Sequence, residues 1–143
     1  RMQRHMDNTR ALLDFLTTHE DVAWVRHPDL PDHPGHDIAK RLMPRGAGSI
    51  IAFGVKGGRE AGRAFIEAVQ LSSHLANVGD AKTLVIHPAS TTHSHIDADA
   101  MKAGGLSDDM IRLSVGLEDI ADIKADFESG FKAARRVAAE GQR

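Results

Sequence analysis

The apolar residues of this 143-residue chain change period again and again, and that alternation constrains the fold more than any single motif does. Four short runs read as strands: Val22-Ala23-Trp24-Val25, Ser49 to Val55, Lys82 to Ile86 and Ile111 to Val115. Around them the apolar spacing lengthens to three and four. One stripe holds Met2, Met6, Leu12, Leu13, Phe15 and Leu16; a second holds Ala61, Phe65, Ala68 and Val69; a third holds Ile120, Ile123, Phe127, Phe131 and Ala134. These are amphipathic helices with one buried face. Glu118 and Asp119 at the start of the third stripe, and Arg135 and Arg136 near its end, complement the helix dipole. Shorter helices fit 37–43 and 97–103. The breaks fall at Pro28, Pro31, Pro34 and Gly35, at Gly57-Gly58, at Pro88 and at Gly104-Gly105. The expected class is α/β, more narrowly a small α+β domain: a sheet of about four strands with flanking helices. No internal repeat or linker divides the chain, so residues 1–143 read as one domain.

Composition then narrows the function. Lys and Arg number 18 against 20 Asp and Glu, a net charge of −2. That balance excludes a nucleic-acid binder driven by phosphate neutralisation. Hydrophobic residues at 41% and charged residues at 27% are a globular mixture, not a disordered one. Aromatics are only 4%, which predicts a core built mainly from aliphatic side chains. With no cysteine in the chain, disulfides, thiolate catalysis and cysteine-ligated metals are excluded. No apolar run approaches the roughly 18 residues that span a bilayer. A cytoplasmic protein that binds no membrane is the expectation. The chain opens on Arg1 inside an amphipathic helix, as a piece of a longer polypeptide would.

The polar residues offer several chemistries. His27, His33 and His36 share the Pro-rich loop, and His93 and His95 share a Ser/Thr-rich one, but neither set has a helical ligand spacing. They read as solvent-facing loop histidines with local hydrogen bonds, and no metal site is expected. Ser90 or Ser94 with His93 and Asp97 makes a triad only on paper, because no Gly-x-Ser-x-Gly turn follows a strand. Gly54-Val55-Lys56-Gly57-Gly58 follows a strand and precedes a helix, yet it lacks the spacing of a phosphate-binding loop, and a tight turn needs glycine anyway. Nothing in the sequence around Lys82 marks it as a Schiff-base lysine, so it reads as a solvent-facing lysine at a strand start.

Arg112 stands apart. In Ile111-Arg112-Leu113-Ser114-Val115 the apolar residues take one face of a strand, so Arg112 and Ser114 point to the other. A guanidinium in the middle of a strand needs an anion. Its planar fork matches a carboxylate with two parallel hydrogen bonds. A carboxylate ligand, an internal Asp or Glu partner, or a solvated sheet face would each answer that need.

Two separated stretches carry a family likeness. They are Asn77-Val78-Gly79-Asp80 through His87-Pro88-Ala89-Ser90-Thr91-Thr92-His93, and Gly105-Leu106-Ser107 through Ile111-Arg112-Leu113-Ser114-Val115-Gly116-Leu117-Glu118-Asp119. Both resemble the C-terminal domain of the Cys/Met-metabolism pyridoxal-phosphate enzymes, among them cystathionine synthases and lyases, methionine γ-lyase and O-acetylhomoserine sulfhydrylase. Ser73-His74-Leu75-Ala76-Asn77-Val78-Gly79-Asp80 is most similar to the sulfhydrylase branch. The strand from Val22 to Arg26, followed by Pro28, resembles the same family's Val-x-x-Val-x-x-Pro segment.

The resemblance implies the C-terminal domain of a fold-type I pyridoxal-phosphate enzyme, with the large cofactor-binding domain absent from this chain. None of Lys40, Lys56, Lys82, Lys102, Lys124 and Lys132 sits in the family's Ser-x-x-Lys cofactor motif, so no catalytic residue is expected here. It implies that Arg112 binds the α-carboxylate of an amino-acid substrate. Asn77 falls where many relatives have a serine that helps position that carboxylate, and Thr92 lies in a loop near it. The cofactor acts as electron sink for a Cα carbanion, and the protein orients the substrate. In a sulfhydrylase, acetate leaves O-acetylhomoserine by γ-elimination and sulfide or methanethiol adds, giving homocysteine or methionine. A full-length homo-oligomer, a tetramer in the family, is implied. The resemblance also admits a cystathionine synthase or lyase or a methionine γ-lyase, and the residues alone admit a free-standing amino-acid-binding module or a dimerisation domain using the Ile120 to Phe131 stripe.

Overall fold

The computed structural model describes residues 1–91, 95 and 97–143, with Ala98 described by its backbone only. In chain order the elements are α1 (Met2–Thr18), β1 (Val22–Arg26), α2 (His36–Leu42), β2 (Ile50–Val55), α3 (Gly58–Ala68), β3 (Ser73–His74), β4 (Leu84–Ile86), α4 (Ala98–Ala103), β5 (Met110–Ser114) and α5 (Ile120–Glu140), with a 3-10 turn at Pro88–Ser90. The sheet has five strands in the order β1-β2-β5-β4-β3. All neighbours are antiparallel except β3 and β4, which are parallel.

The four expected strands are therefore present and a fifth lies at the edge. It is only Ser73 and His74, too short and too polar to show a period of two. The third expected strand is also shorter than the sequence suggested. It begins at Leu84, because Thr83 turns its hydroxyl and backbone N–H to Glu118 at 2.7 Å each.

One sheet face carries the core. Ile51, Phe53 and Val55 of β2, Val85 of β4, and Ile111, Leu113 and Val115 along β5 are wholly buried against α1, α3 and α5. Leu12 and Leu16, Ala61 and Phe65, and Ile123, Phe127 and Phe131 meet them from the helices. The stripes read from the sequence are thus the buried faces, except that Met2 is exposed at the start of α1 and Phe15, Ala68 and Ile120 are only half-buried. The centre of the core is less aliphatic than the composition suggests. Phe53, Phe65, Phe127 and Phe131 form one cluster with ring centroids 4.9 to 6.2 Å apart. Edge-to-face and tilted pairs at this spacing add to simple area burial. Gly130 lets α5 approach α3, because a Cβ there would stand 2.6 Å from the Phe65 ring.

Local polar groups set the element ends. Asp119 caps α5 by accepting the Ala121 N–H at 2.8 Å, and Asp97 caps α4 by accepting the Ala100 N–H at 2.7 Å. Asp126, buried on α5, accepts the backbone N–H groups of Gln70, Leu71 and Ser72 at 2.7, 3.0 and 2.8 Å. It pins the connection between α3 and β3. Burial alone would raise its pKa; the three N–H donors outweigh that and hold it below the usual carboxylate value.

Candidate functional site

On the opposite sheet face Trp24, Arg26, Ala52 and Arg112 keep part of their surface open while Met110 and Ser114 are buried, and Arg112 lies at its middle. β5 is the central strand, and Arg112 pairs with Ala52 on β2 and Ile86 on β4. Ala52 pairs in turn with Arg26 on β1, so Arg26, Ala52, Arg112 and Ile86 form one row across four strands. Arg112 is half-buried, and among the described residues no carboxylate pairs with it. The internal-partner alternative from the sequence therefore has no described Asp or Glu to supply it.

A carboxylate that reaches this face, Asp109, is engaged elsewhere. Asp109 immediately precedes β5. Its Oδ2 accepts the indole N–H of Trp24 at 3.0 Å, and its Oδ1 accepts the Ser107 hydroxyl at 2.5 Å. Trp24 reaches it by lying across Gly54. A Cβ on Gly54 would stand 2.1 Å from Trp24 Nε1 and 2.5 Å from Asp109 Oδ2. Glycine in this strand marks a close approach of side chains over the backbone, not a phosphate cradle. The Arg26 guanidinium lies 5.3 Å from the Trp24 ring centroid, a cation–π distance. None of Trp24, Gly54, Ser107 and Asp109 was singled out for this role in the sequence. The available signal was a lone tryptophan inside one strand and a glycine inside the next.

Asn77 lies in the connection between β3 and β4, exposed, with its side-chain oxygen accepting the Val78 N–H at 2.9 Å. The connection is tied to the start of α1, where Arg1 donates to the Gly79 carbonyl at 2.8 Å. Thr92 lies outside the described residues, as do His93 and Ser94. The segment leading to Thr92 is anchored by His87. That ring is buried, donates Nε2–H to the Asp108 carbonyl at 2.5 Å and accepts the Ser90 hydroxyl at Nδ1 at 2.8 Å. A carbonyl only accepts, which fixes the tautomer. Burial lowers its pKa below 6.5, against the opposing pull of the Asp108 carbonyl, so the ring is neutral at neutral pH. His87 thereby ties the end of β4 to the segment entering β5.

The histidines of the Pro-rich loop make the expected local hydrogen bonds, but His27 is buried, not solvent-facing as expected, because its ring is held between the Gly48 carbonyl and the Asp29 N–H. His27 bonds the Gly48 carbonyl at 2.9 Å and accepts the Asp29 N–H at 3.0 Å; His33 accepts the Gly35 N–H at 2.9 Å; His36 bonds the Pro28 carbonyl at 2.9 Å. Among the described residues no three His, Asp or Glu side chains converge as metal ligands, and no helix is long and apolar enough to cross a membrane. No lysine lies in a strand of the sheet: Lys40, Lys56, Lys82, Lys102 and Lys132 are exposed, and Lys124 lies in the helix layer 6.0 Å from the Phe15 ring.

The sheet thus carries a central, half-buried arginine on its less covered face and no lysine in any strand. Comparison with known proteins defines its class. The family model for Cys/Met metabolism PLP-dependent enzymes matches residues 1–132, and the chain belongs to that family. It is 48% identical over 128 residues to O-acetyl-L-homoserine sulfhydrylase 1 of Thermus thermophilus, covering 90% of this chain and 30% of that protein. The cystathionine gamma synthase of Xanthomonas oryzae, solved with aminoacrylate and cysteine, superposes with a TM-score of 0.85 at 35% identity, covering 95% of this chain and 35% of that one. An O-acetylhomoserine (thiol)-lyase of Campylobacter jejuni carrying a pyridoxyl-lysine phosphate superposes with a TM-score of 0.84 at 34% identity, covering 92% of this chain and 31% of that one. The expected α/β class is thus borne out, and the fold is shared with these pyridoxal-phosphate enzymes. The chain spans about a third of the length of these relatives. The family depends on pyridoxal phosphate. The residues present do not fit its covalent attachment, since no lysine stands on the arginine's strand or its neighbours.

Proposed function

We propose that this chain is the C-terminal, substrate-carboxylate-binding domain of a pyridoxal-phosphate-dependent sulfhydrylase that makes homocysteine from O-acetylhomoserine and sulfide. The observation that carries the reading is Arg112: central, half-buried, flanked by the small Ala52, and without a carboxylate partner among the described residues. The sulfhydrylase likeness of the Thermus thermophilus and Campylobacter jejuni relatives supports the choice of substrate class.

In this reading the chain contributes positioning. Arg112 takes both oxygens of the α-carboxylate in a two-pronged hydrogen bond, which fixes the plane of the substrate and presents its Cα–H to a base outside this chain. Asn77 and Thr92 flank the same carboxylate from the connections on either side of β4. The cofactor lysine lies in a larger domain outside this chain, and the working protein is a cytoplasmic homo-oligomer, a tetramer. No bond of the substrate is broken by a residue described here.

The test is Arg112→Ala in the complete protein carrying this chain. Loss of a two-pronged charged hydrogen bond costs about 3 kcal/mol, or roughly 100-fold in kcat/KM. Arg112→Lys keeps the charge but loses the fork and is expected to recover only part of this. Unchanged kinetics in Arg112→Ala would sink the assignment. Turnover of methionine or cystathionine in place of O-acetylhomoserine would move the protein to the lyase branch, and use of cysteine in place of sulfide, giving cystathionine, to the synthase branch.

A further inference from the structure

Asp109 poses a problem that the carboxylate-binding reading leaves open. Its carboxylate lies over Gly54 on the open face, and Gly54 pairs with Met110. Arg112 is two residues beyond Met110 on the same face, so the Gly54 position is its diagonal neighbour across β2 and β5. Diagonal neighbours on one face of an antiparallel pair stand about 7–8 Å apart, within reach of a long side chain. An aspartate and an arginine so placed are expected to pair, and such a pair would occupy the fork that a substrate needs. They do not pair. Asp109 gives one oxygen to the Trp24 indole and the other to the Ser107 hydroxyl.

We propose that Trp24 and Ser107 are positioning residues that hold the Asp109 carboxylate off Arg112, so that the guanidinium stays open to a substrate carboxylate. This rests on the reading of Arg112 given above. Each donor takes one oxygen, and together they occupy the two sides of the carboxylate that a guanidinium would otherwise fork. The indole is held in turn from two directions: Gly54 leaves it room beneath, and Arg26 packs against its ring. The edge strand β1 therefore acts on the central strand β5 through one hydrogen bond that crosses β2.

The test is kinetic and uses the complete protein. The variants are Trp24→Phe/Ser107→Ala, Asp109→Asn, and the three substitutions combined. With both donors gone, Asp109 swings to Arg112 and competes with the amino-acid substrate. If the internal pair forms nine times in ten, the apparent affinity falls about tenfold, because only the open fraction binds. KM is therefore expected to rise about tenfold with kcat within a factor of about two of the native value. Adding Asp109→Asn removes the competing charge and is expected to restore the native KM, whereas general damage to the sheet would survive it. Ser107→Ala alone removes one hydroxyl from a half-exposed connection and leaves Trp24 in place. It is expected to give a smaller KM rise of the same kind, also abolished by Asp109→Asn. A raised KM that persists in the triple variant overturns the proposal. So does a native KM in the double variant, as when the freed carboxylate turns to Arg26. Failure of the underlying reading is distinct: there Arg112→Ala itself leaves KM unchanged.

Discussion

Ala52 on β2 stands directly opposite Arg112 on β5, and its single methyl leaves the guanidinium room on the open face. Cross-strand neighbours have Cβ atoms about 4.5–5.5 Å apart, so a larger side chain at 52 would lie against the arginine stem. Ala52→Leu leaves the helix-covered core untouched, because position 52 points away from it. We expect stability to change by less than about 1 kcal/mol while KM for the amino-acid substrate rises several-fold. Urea unfolding and steady-state kinetics on the same preparation check this. A lowered Tm with unaltered KM would show that the residue serves packing alone.

His87 makes a pH-dependent contribution whose sign follows from its neutral state. Its folded pKa lies below the ordinary 6.5, because burial disfavours the charged ring. The unfolded chain therefore takes up this proton first as pH falls. The contribution is whole above about pH 6.5, is lost as pH drops from there toward the folded pKa, and is level below both. His87→Gln removes the titration. It is expected to cost about 1–3 kcal/mol at pH 7.5, through buried partners left unmade, and distinctly less at pH 5.5. Urea midpoints of both proteins at the two pH values test this; an equal cost at both would show that His87 titrates alike in the folded and unfolded chain.

Asp126 holds three consecutive backbone N–H groups, and its removal leaves Gln70, Leu71 and Ser72 without their acceptor. Asp126→Ala is expected to cost about 3–5 kcal/mol at neutral pH, the range for losing one side of a buried charged network. Its folded pKa lies below 3.8, so its contribution is present above that value and is lost as pH falls through the folded pKa. The cost of the substitution should shrink in strong acid. Hydrogen exchange localises the effect: the amides of 70–72 should lose protection first. Native-like protection there in the variant would contradict the role assigned to Asp126.

What was legible in the sequence was mostly what repeats. Ile111, Leu113 and Val115 alternate with Arg112 and Ser114, and the structure buries the first three on the helix side while the arginine takes the open one. The stripe of Ile123, Phe127 and Phe131 likewise lies where its spacing put it. β3 was not legible, because two polar residues carry no period and are paired only through β4. The role of Gly54 was not legible either. A glycine at a strand end suits a turn, an anion cradle or a close approach equally well, and only the indole above it decides among them. Contacts such as Trp24 to Asp109 join residues 85 apart in the chain, and no local pattern encodes them.

Gly54 is therefore where the open face is most sensitive to a single methyl. In Gly54→Ala the new Cβ would meet Trp24 Nε1 at 2.1 Å and Asp109 Oδ2 at 2.5 Å, so the indole must lift or the carboxylate must move. Overpacking of this kind costs about 1–3 kcal/mol. Trp24 is the sole tryptophan of the chain, so in the isolated chain its emission reports on this contact alone. We expect the emission to shift to the red as the indole leaves Asp109 and meets water, with stability lowered within that range. Trp24→Phe should abolish the emission and remove most of the added cost of Gly54→Ala, since the two substitutions act on one contact and cannot add. Additive losses in the double variant, or an unshifted emission in Gly54→Ala, would show that the strand accommodates the methyl without disturbing the bridge.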